Sequence, residues 1–261
     1  MRVFRSPFAA QSGIRKIILT HYTAMNSDDS SPRQRIISLL NVKSVIKSQI
    51  FDQCLEVFSV LKDVLSEMSN DLNEMIGNTG SRRVRLEYRD RGKFEAELKF
   101  ADDVLIFSLH TDIFQFDREH PVWKNPYVRN SPYNGYCGVI SVYNFLYDSL
   151  KYNRNDDLGY LVARMFINKD KAFFVEGKRQ KRQITDLFGK STLTRDDLVA
   201  FVESAINYSL SFDLLVPPYD MVKEATVGEM NTKIESSRMR TGKRLGFKYN
   251  SDDVLNTEEH A

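Results

Sequence analysis

The fold is decided by residues 158–178, LGYLVARMFINKDKAFFVEGK. Two apolar runs flank a polar Asn-Lys-Asp-Lys sequence, which is the pattern of a β-hairpin. With the turn centred between Lys169 and Asp170, Ala163 lies opposite Glu176. Successive side chains point to alternate faces of a strand, and both faces of this hairpin are then apolar. We therefore expect it in the middle of a sheet that is covered on both sides.

Residues 41–76 carry the spacing of an amphipathic helix. Apolar residues recur at intervals of three and four positions, namely Ile50, Cys54, Val57, Leu61, Val64 and Met68, as on one face of a helix. Such a helix would be about 50 Å long, more than one face of a domain of this size requires. It must bend or pack its excess length on something else, so we expect a homodimer through the 41–76 helix.

The strands predicted upstream of the hairpin form a meander. Residues 84–88 and 94–100 alternate apolar and charged side chains around Asp90-Arg91-Gly92, which predicts a hairpin with one solvated face. Residues 104–109 are apolar on both faces, and residues 136–147 are predicted to form a long strand, although their length also permits a helix.

A second helix is predicted at residues 193–209, with Thr194 as N-cap and acidic residues in the first turn. The predicted class is therefore α+β: a central, mostly antiparallel sheet with the long N-terminal helix and the C-terminal helix on opposite faces. We expect a disordered or mis-annotated leader at 1–40, one domain at 41–220, and a flexible tail at 221–261 that is basic and then acidic.

Composition places the chain among soluble globular proteins. Its 261 residues are 42% hydrophobic, and 37 basic against 35 acidic residues leave a net charge of +2, too small to indicate a nucleic-acid partner by itself. Cys54 and Cys137 lie far apart, which favours a reduced, cytoplasmic protein over a disulfide-bonded secreted one. No apolar run is long enough to span a bilayer, so we expect no membrane partner.

Glu176-x-Lys178 resembles the acid-x-lysine of the restriction-endonuclease-like nucleases, in which carboxylates hold Mg²⁺ and a lysine supports the attacking water. Asp157 is too far along the strands to join Glu176 on one ion, so a second acid would have to come from a neighbouring strand, such as Asp103 or Asp112. The alternative is a strand-end glutamate paired with a nearby cation. Apart from this Mg²⁺, the sequence indicates no cofactor.

His110 and Asp112 would share one face of a strand and are a weak candidate metal pair, because no third ligand is specified. Cys137 begins an apolar strand, and a thiol nucleophile needs a neighbouring histidine or helix N-terminus. We therefore interpret Cys137 as a buried structural residue.

The best candidate for nucleic-acid contact is the basic segment, residues 233–248. It contains six basic residues and one acid, Glu235. Five of the six are the predicted nucleic-acid-binding residues Arg238, Arg240, Lys243, Arg244 and Lys248. Basic tails with interleaved aromatic residues bind RNA, so RNA or a ribonucleoprotein is the expected partner, with a solvated terminus as the alternative.

The segments VRLEYRDRGKFEAEL, DVLIFSLHTDIF and DLGYLVARMFINKDKAFFVEGKRQ, within residues 42–190, resemble an uncharacterised family of cytosolic proteins from Bacteroidetes-type bacteria. That resemblance implies no activity, cofactor or site residue. Because no nucleophile, base and orienting group occur at a usable spacing, we expect a binding or regulatory protein of unknown ligand rather than an enzyme.

Overall fold

The computed structural model describes residues 31–79, 85–155, 157–177, 188–211, 219–224 and 226–228. Its helices are α1 (Pro32–Leu39), α2 (Val45–Thr79), α3 (Pro126–Asn130), α4 (Tyr147–Lys151), α5 (Arg195–Leu210) and α6 (Tyr219–Val222), with a π-helical segment at Leu40–Ser44. The strands are β1 (Glu87–Asp90), β2 (Glu95–Phe100), β3 (Asp103–Leu109), β4 (Phe114–Gln115), β5 (Tyr136–Leu146), β6 (Tyr160–Asn168) and β7 (Phe173–Gly177).

The seven strands form one antiparallel sheet. Their order is β1-β2-β3-β5-β6-β7, and the short strand β4 pairs with the beginning of β5. Each of the main strands therefore lies beside the main strand that precedes it in the chain, as consecutive strands commonly do. The α+β class and the predicted long strand at 136–147 are confirmed.

The long helix begins before its predicted start. Ser31 caps α1: the Gln34 backbone N–H donates to Ser31 Oγ (3.4 Å), the Ser31 N–H donates to Gln34 Oε1 (3.1 Å), and Pro32 occupies the first helical position. The π-helical segment then joins α1 to α2. The predicted apolar stripe is confirmed, because Ile50, Cys54, Leu61 and the residues in phase with them are buried.

The two long helices lie on the same face of the sheet, not on opposite faces as predicted. Residues of α2 and of α5 belong to one core, which we call the first core, together with inward residues of β2, β3, β5, β6 and β7. Arg195 at the start of α5 forms an ion pair with Glu67 of α2, and Tyr208 packs edge-on against Tyr160 of β6. The helices pair because both have apolar stripes, and a shorter segment covers part of the other face.

The register of the β6–β7 hairpin differs by one residue from the prediction. Ala163 lies opposite Gly177, and Arg164 lies opposite Glu176. The loop has three residues rather than two, because Lys171 adopts a positive φ of 55° and adds a left-handed residue after the turn. A one-residue shift exchanges the faces of a strand. The side chain of Glu176 therefore lies on the same face as that of Arg164.

A second irregularity occurs where β5 pairs with β6. Val142 lies opposite Ala163, but Tyr143 lies opposite Leu161, so Val162 is an extra residue in the ladder. Val162 and Ala163 are both buried in the first core, while Leu161 is 42% exposed on the second face. This bulge lets β6 place consecutive apolar residues in one core.

Candidate binding face

One half of the second sheet face is covered by the segment that follows β4. A second, smaller core forms here, and its buried members are Val122, Val128, Cys137, Val139, Phe166, Ala172, Phe174 and Phe188. The ring of Phe116 packs against Phe166 (5.0 Å between centroids) and Phe174 (5.6 Å). Aromatic contacts of this kind contribute beyond the buried area alone, so the covered half is a packed layer.

Asn168 anchors the covering segment to the hairpin. Its side chain is fully buried. The amide nitrogen donates to Tyr127 Oη (2.9 Å) and to the Asn134 carbonyl (3.2 Å), and the amide oxygen accepts from the backbone N–H groups of Asp170 and Ala172 (3.0 Å each). Two donors and two acceptor sites are thus satisfied, as a buried amide requires. Asn168 holds the turn and the covering segment together.

The other half of the second face is open. We define the open face as Ile106 and Ser108 of β3, Ser141 and Tyr143 of β5, and Leu161 and Arg164 of β6. These residues form two neighbouring rows across the three strands, about 7 Å apart. Tyr143 is 39% exposed and Leu161 42% exposed. The expectation that the doubly apolar strands are covered on both faces is therefore wrong for this half.

Charged side chains of both signs border the open face. The row that contains Tyr143 continues through Glu97 to Arg89, and the row that contains Arg164 ends at Glu176 on one side and Glu95 on the other. The described charged residues beside these rows include Arg89, Arg91, Lys99 and Arg164 and the acids Glu87, Glu95, Glu97 and Glu176. Charges of both signs thus lie side by side along this border.

Most of these charges are paired within the chain. The guanidinium groups of Arg89 (3.8 Å) and Arg91 contact the carboxylate of Glu97, which is 1% exposed. Lys99 Nζ donates to Glu87 Oε1 (3.2 Å), and this hydrogen bond lowers the pKa of the Glu87 carboxyl. The ion pairs at this border therefore link β1 to β2, and the one with Lys99 favours the ionised form of Glu87.

Glu176, the predicted catalytic or metal-binding acid, is held by two basic side chains. Arg164 Nη2 donates to Glu176 Oε2 at 2.6 Å, and His120 Nε2 lies 3.3 Å from Glu176 Oε1. The Val122 N–H donates to His120 Nδ1 (3.3 Å), which leaves the proton of a neutral imidazole on Nε2, directed at Glu176. Phe116 stacks on the His120 ring at 4.5 Å. The Glu176 carboxylate is thus a partner of two cationic or donor groups at the rim of the open face.

The other predicted metal ligands are placed at an exposed turn. The side chains of His110 and Asp112 are 51% and 79% exposed, and the closest approach of His110 Nδ1 to Asp112 Oδ2 is 4.0 Å. The Asp112 backbone N–H donates to His110 Nδ1 (3.0 Å), so this ring nitrogen already has a donor. Among the residues that the structure describes, no group of three His, Cys, Asp or Glu side chains could hold a metal ion.

Both cysteines are buried free thiols. Burial raises the pKa of Cys54 to about 12 and raises that of Cys137 well above its ordinary value. A protonated thiol is a poor nucleophile. The interpretation of Cys137 as a structural residue is confirmed by its position in the second core.

Several predicted site residues lie outside the described part of the chain. These are Lys178 and the nucleic-acid-binding residues Arg238, Arg240, Lys243, Arg244 and Lys248. The same holds for residues 1–30 of the predicted leader and for the predicted tail from residue 229 onward.

Sequence reasoning did not find the open face, although a signal for it was present. Ser108, Ser141 and Arg164 are polar residues in the middle of three largely apolar strands, and pairing brings them side by side in one row. Polar residues in register across neighbouring strands indicate a face in contact with water.

Within the described residues, none of the helices has the length and apolar character needed to cross a membrane. No protein-family model matches the chain, and neither does any curated protein or any solved structure. The resemblance to a Bacteroidetes-type family therefore stays a prediction.

Proposed function

We propose that this chain is a non-catalytic RNA-binding protein that takes single-stranded RNA on the open face and holds its phosphates with the basic segment 233–248. The observation that carries the proposal is the exposed Tyr143 ring in the open half of the sheet, next to Leu161. Aromatic side chains on an uncovered sheet are platforms on which unpaired bases stack. Stacking on an aromatic ring requires no net positive charge on the sheet itself.

The two parts have different roles in this proposal. The basic segment has an excess of five positive charges and supplies the electrostatic, salt-dependent part of the affinity. Tyr143 supplies base stacking, which is insensitive to salt, and Arg164 and the serines of the open face can hydrogen-bond to bases. A ribonucleoprotein would be recognised through its RNA by the same two parts.

The proposal is tested by fluorescence anisotropy with a labelled single-stranded RNA of mixed sequence, at salt concentrations of about 50 to 200 mM. Tyr143→Ala should weaken binding by about 1–3 kcal/mol and leave the salt slope unchanged. Replacing the five predicted basic residues with glutamine should make the fall of log affinity with log salt concentration less steep by about 3.5, because each phosphate contact on a single strand contributes about 0.7. These residues are Arg238, Arg240, Lys243, Arg244 and Lys248. Tyr219→Ala is the matched control, because Tyr219 is 78% exposed and lies outside the sheet.

Absence of RNA binding by the full chain would refute the proposal. The proposal would also fail if Tyr143→Ala and Tyr219→Ala bound the RNA with the same affinity, because the sheet would then make no contact with bases.

The alternative is a Mg²⁺-dependent nuclease that uses Glu176 and Lys178. The contacts of Arg164 and His120 with Glu176 weigh against it, because a metal ion would have to displace Arg164 from the carboxylate. Incubation of RNA and DNA with the protein and Mg²⁺ or Mn²⁺ tests this alternative. Cleavage that is lost in both Glu176→Ala and Lys178→Ala would replace the binding proposal with the nuclease.

A further inference from the structure

A row of polar side chains crosses the open face next to Tyr143. We call it the serine row, and strand pairing places in it Glu95 of β2, Ser108 of β3, Ser141 of β5 and Arg164 of β6. The two serines have the smallest side chains of the open face, and a longer side chain stands at each end. The row therefore has a hollow above its serines, with an acid at one end and a cation at the other.

The Arg164 guanidinium is held in place, but only part of it is used. Nη2 donates to Glu176 Oε2 (2.6 Å), and Cζ lies 5.3 Å from the centre of the Phe166 ring. An arginine side chain has five N–H donors. Within the described part of the chain, no acceptor bonds to those on Nε and Nη1, and the side chain is 46% exposed. Arg164 thus presents a planar fork of donors whose orientation is already fixed.

Glu95 supplies the opposite chemistry at the far end of the row. It is exposed, and no side chain among the described residues bonds to its carboxylate, which can only accept hydrogen bonds when ionised. Neighbouring strands are about 4.8 Å apart, so three strand spacings separate the Cα atoms of Glu95 and Arg164 by about 14 Å. This leaves room for one base between the two side chains, with a hydrogen bond of about 2.9 Å at each end.

We propose that the serine row reads a guanine that is adjacent to the base stacked on Tyr143. This inference rests on the proposed binding of RNA to the open face and specifies its sequence preference. Arg164 donates to the O6 and N7 acceptors of the guanine, which is the commonest specific contact of arginine with a base. The Glu95 carboxylate accepts from N1–H and N2–H on the Watson–Crick edge of the same base.

Other ligands match the row less well. Adenine carries an amino donor where guanine has O6, so the donors of Arg164 would meet a donor. A pyrimidine has no N7. A phosphate would lie between the carboxylates of Glu95 and Glu176, with one cation for two acids, and like charges at such distances repel it. A neutral base with acceptors on one edge and donors on the other avoids this repulsion.

Fluorescence anisotropy of the full chain with four labelled RNAs tests the proposal. Each RNA is a tract of about eight uridines in which one central nucleotide is replaced by guanosine, adenosine, 7-deazaguanosine or inosine. We expect guanosine to bind about tenfold more tightly than adenosine, because a bidentate pair with a base discriminates to about that extent. 7-Deazaguanosine lacks the N7 acceptor and inosine lacks the N2 amino group, so each should lose part of this preference.

Two variants assign the contacts to their side chains. Arg164→Lys keeps the charge but not the fork of donors, so it should abolish the preference for guanosine over 7-deazaguanosine. Glu95→Ala should abolish the preference for guanosine over inosine. Glu74→Ala is the matched control, because Glu74 is exposed on α2, which packs on the other face of the sheet. This control should bind all four RNAs as wild type does.

Wild type that binds guanosine and adenosine RNA with equal affinity would overturn the guanine site and leave the proposed RNA binding intact. The site is also refuted if Arg164→Lys keeps the wild-type preference, or weakens all four RNAs equally, because Arg164 would then not read the base. A full chain that binds none of the four RNAs would refute the proposed function and the guanine site together.

Discussion

Gly138 of β5 and Cys54 of α2 provide a test of how the long helix is seated on the sheet. A Cβ atom added at Gly138 would lie 2.3 Å from Cys54 Sγ, 3.4 Å from Cys54 Cβ and 3.5 Å from Ile113 Cδ1. Only the contact with sulfur is shorter than van der Waals distance. Both residues are buried, so Gly138→Ala should force Cys54 or the helix to move.

The expected magnitude follows from two opposing effects. Replacing glycine with alanine inside a strand favours folding by about 0.5–1 kcal/mol, because the unfolded chain has less freedom to lose. Overpacking of a buried site costs about 1–3 kcal/mol. The overlap at 2.3 Å is large, so we expect Gly138→Ala to lower the free energy of unfolding by about 2 kcal/mol.

Removal of the Cys54 sulfur should abolish or reverse the effect of Gly138→Ala on the free energy of unfolding. In a Cys54→Ala background the nearest remaining contact is the 3.4 Å approach of the Cys54 Cβ position, which is ordinary. Gly138→Ala should then be neutral or slightly stabilising, giving a coupling energy of about 2 kcal/mol between the two sites.

Urea denaturation followed by circular dichroism, with reductant present, measures the four free energies of unfolding. Gly77→Ala serves as the control, because nothing lies within 4 Å of a Cβ added there, and it should be neutral or stabilising. Additive effects of Cys54→Ala and Gly138→Ala would refute the close contact between α2 and β5.

Three further predictions concern stability. The folded-state pKa of Cys54 is raised from 9.0 and that of Tyr160 from 10.0, both to about 12, chiefly by burial. The unfolded chain loses these protons at a lower pH than the folded chain does, so the stability they contribute is complete only below the unfolded pKa. The free energy of unfolding, measured by urea midpoints, should therefore fall from about pH 9 toward pH 12. The fall should be less steep in Cys54→Ala. Asn168→Ala should cost about 2–4 kcal/mol, measured in the same assay, because it leaves several buried groups without partners. Thr194→Ala should cost about 1 kcal/mol by loss of the α5 N-cap, and Thr194→Ser should restore most of it, as seen in thermal melts.

Elements whose pattern is local were predicted well from the sequence. The apolar stripe of the long helix, with its spacing of three and four, is buried as expected. Thr194 caps α5 as predicted, with the Asp197 N–H donating to Thr194 Oγ1 (3.3 Å) and the Thr194 N–H donating to the Asp197 carboxylate (3.0 Å). Both signals depend only on residues within a few positions of each other, so one sequence is enough to detect them.

The hairpin register depends on a left-handed backbone conformation for which the sequence carries no signal. Three-residue loops place their last residue in the left-handed region, and Gly or Asn is the usual signal for it. Here Lys171 takes that conformation with φ of 55°. The predicted two-residue turn was therefore wrong, and the error moved every side chain of β7 to the opposite face.

The error in the hairpin also explains why the candidate site was not predicted. With the turn one residue shorter, Glu176 faced away from Arg164 and was free to be considered as a metal ligand. In the actual register the two side chains meet at 2.6 Å, and the row of Ser108, Ser141 and Arg164 continues to Glu176. A polar row of four strands cannot lie under a hydrophobic layer without an unmet desolvation cost. The correct register would therefore have predicted that this half of the second face is in contact with water.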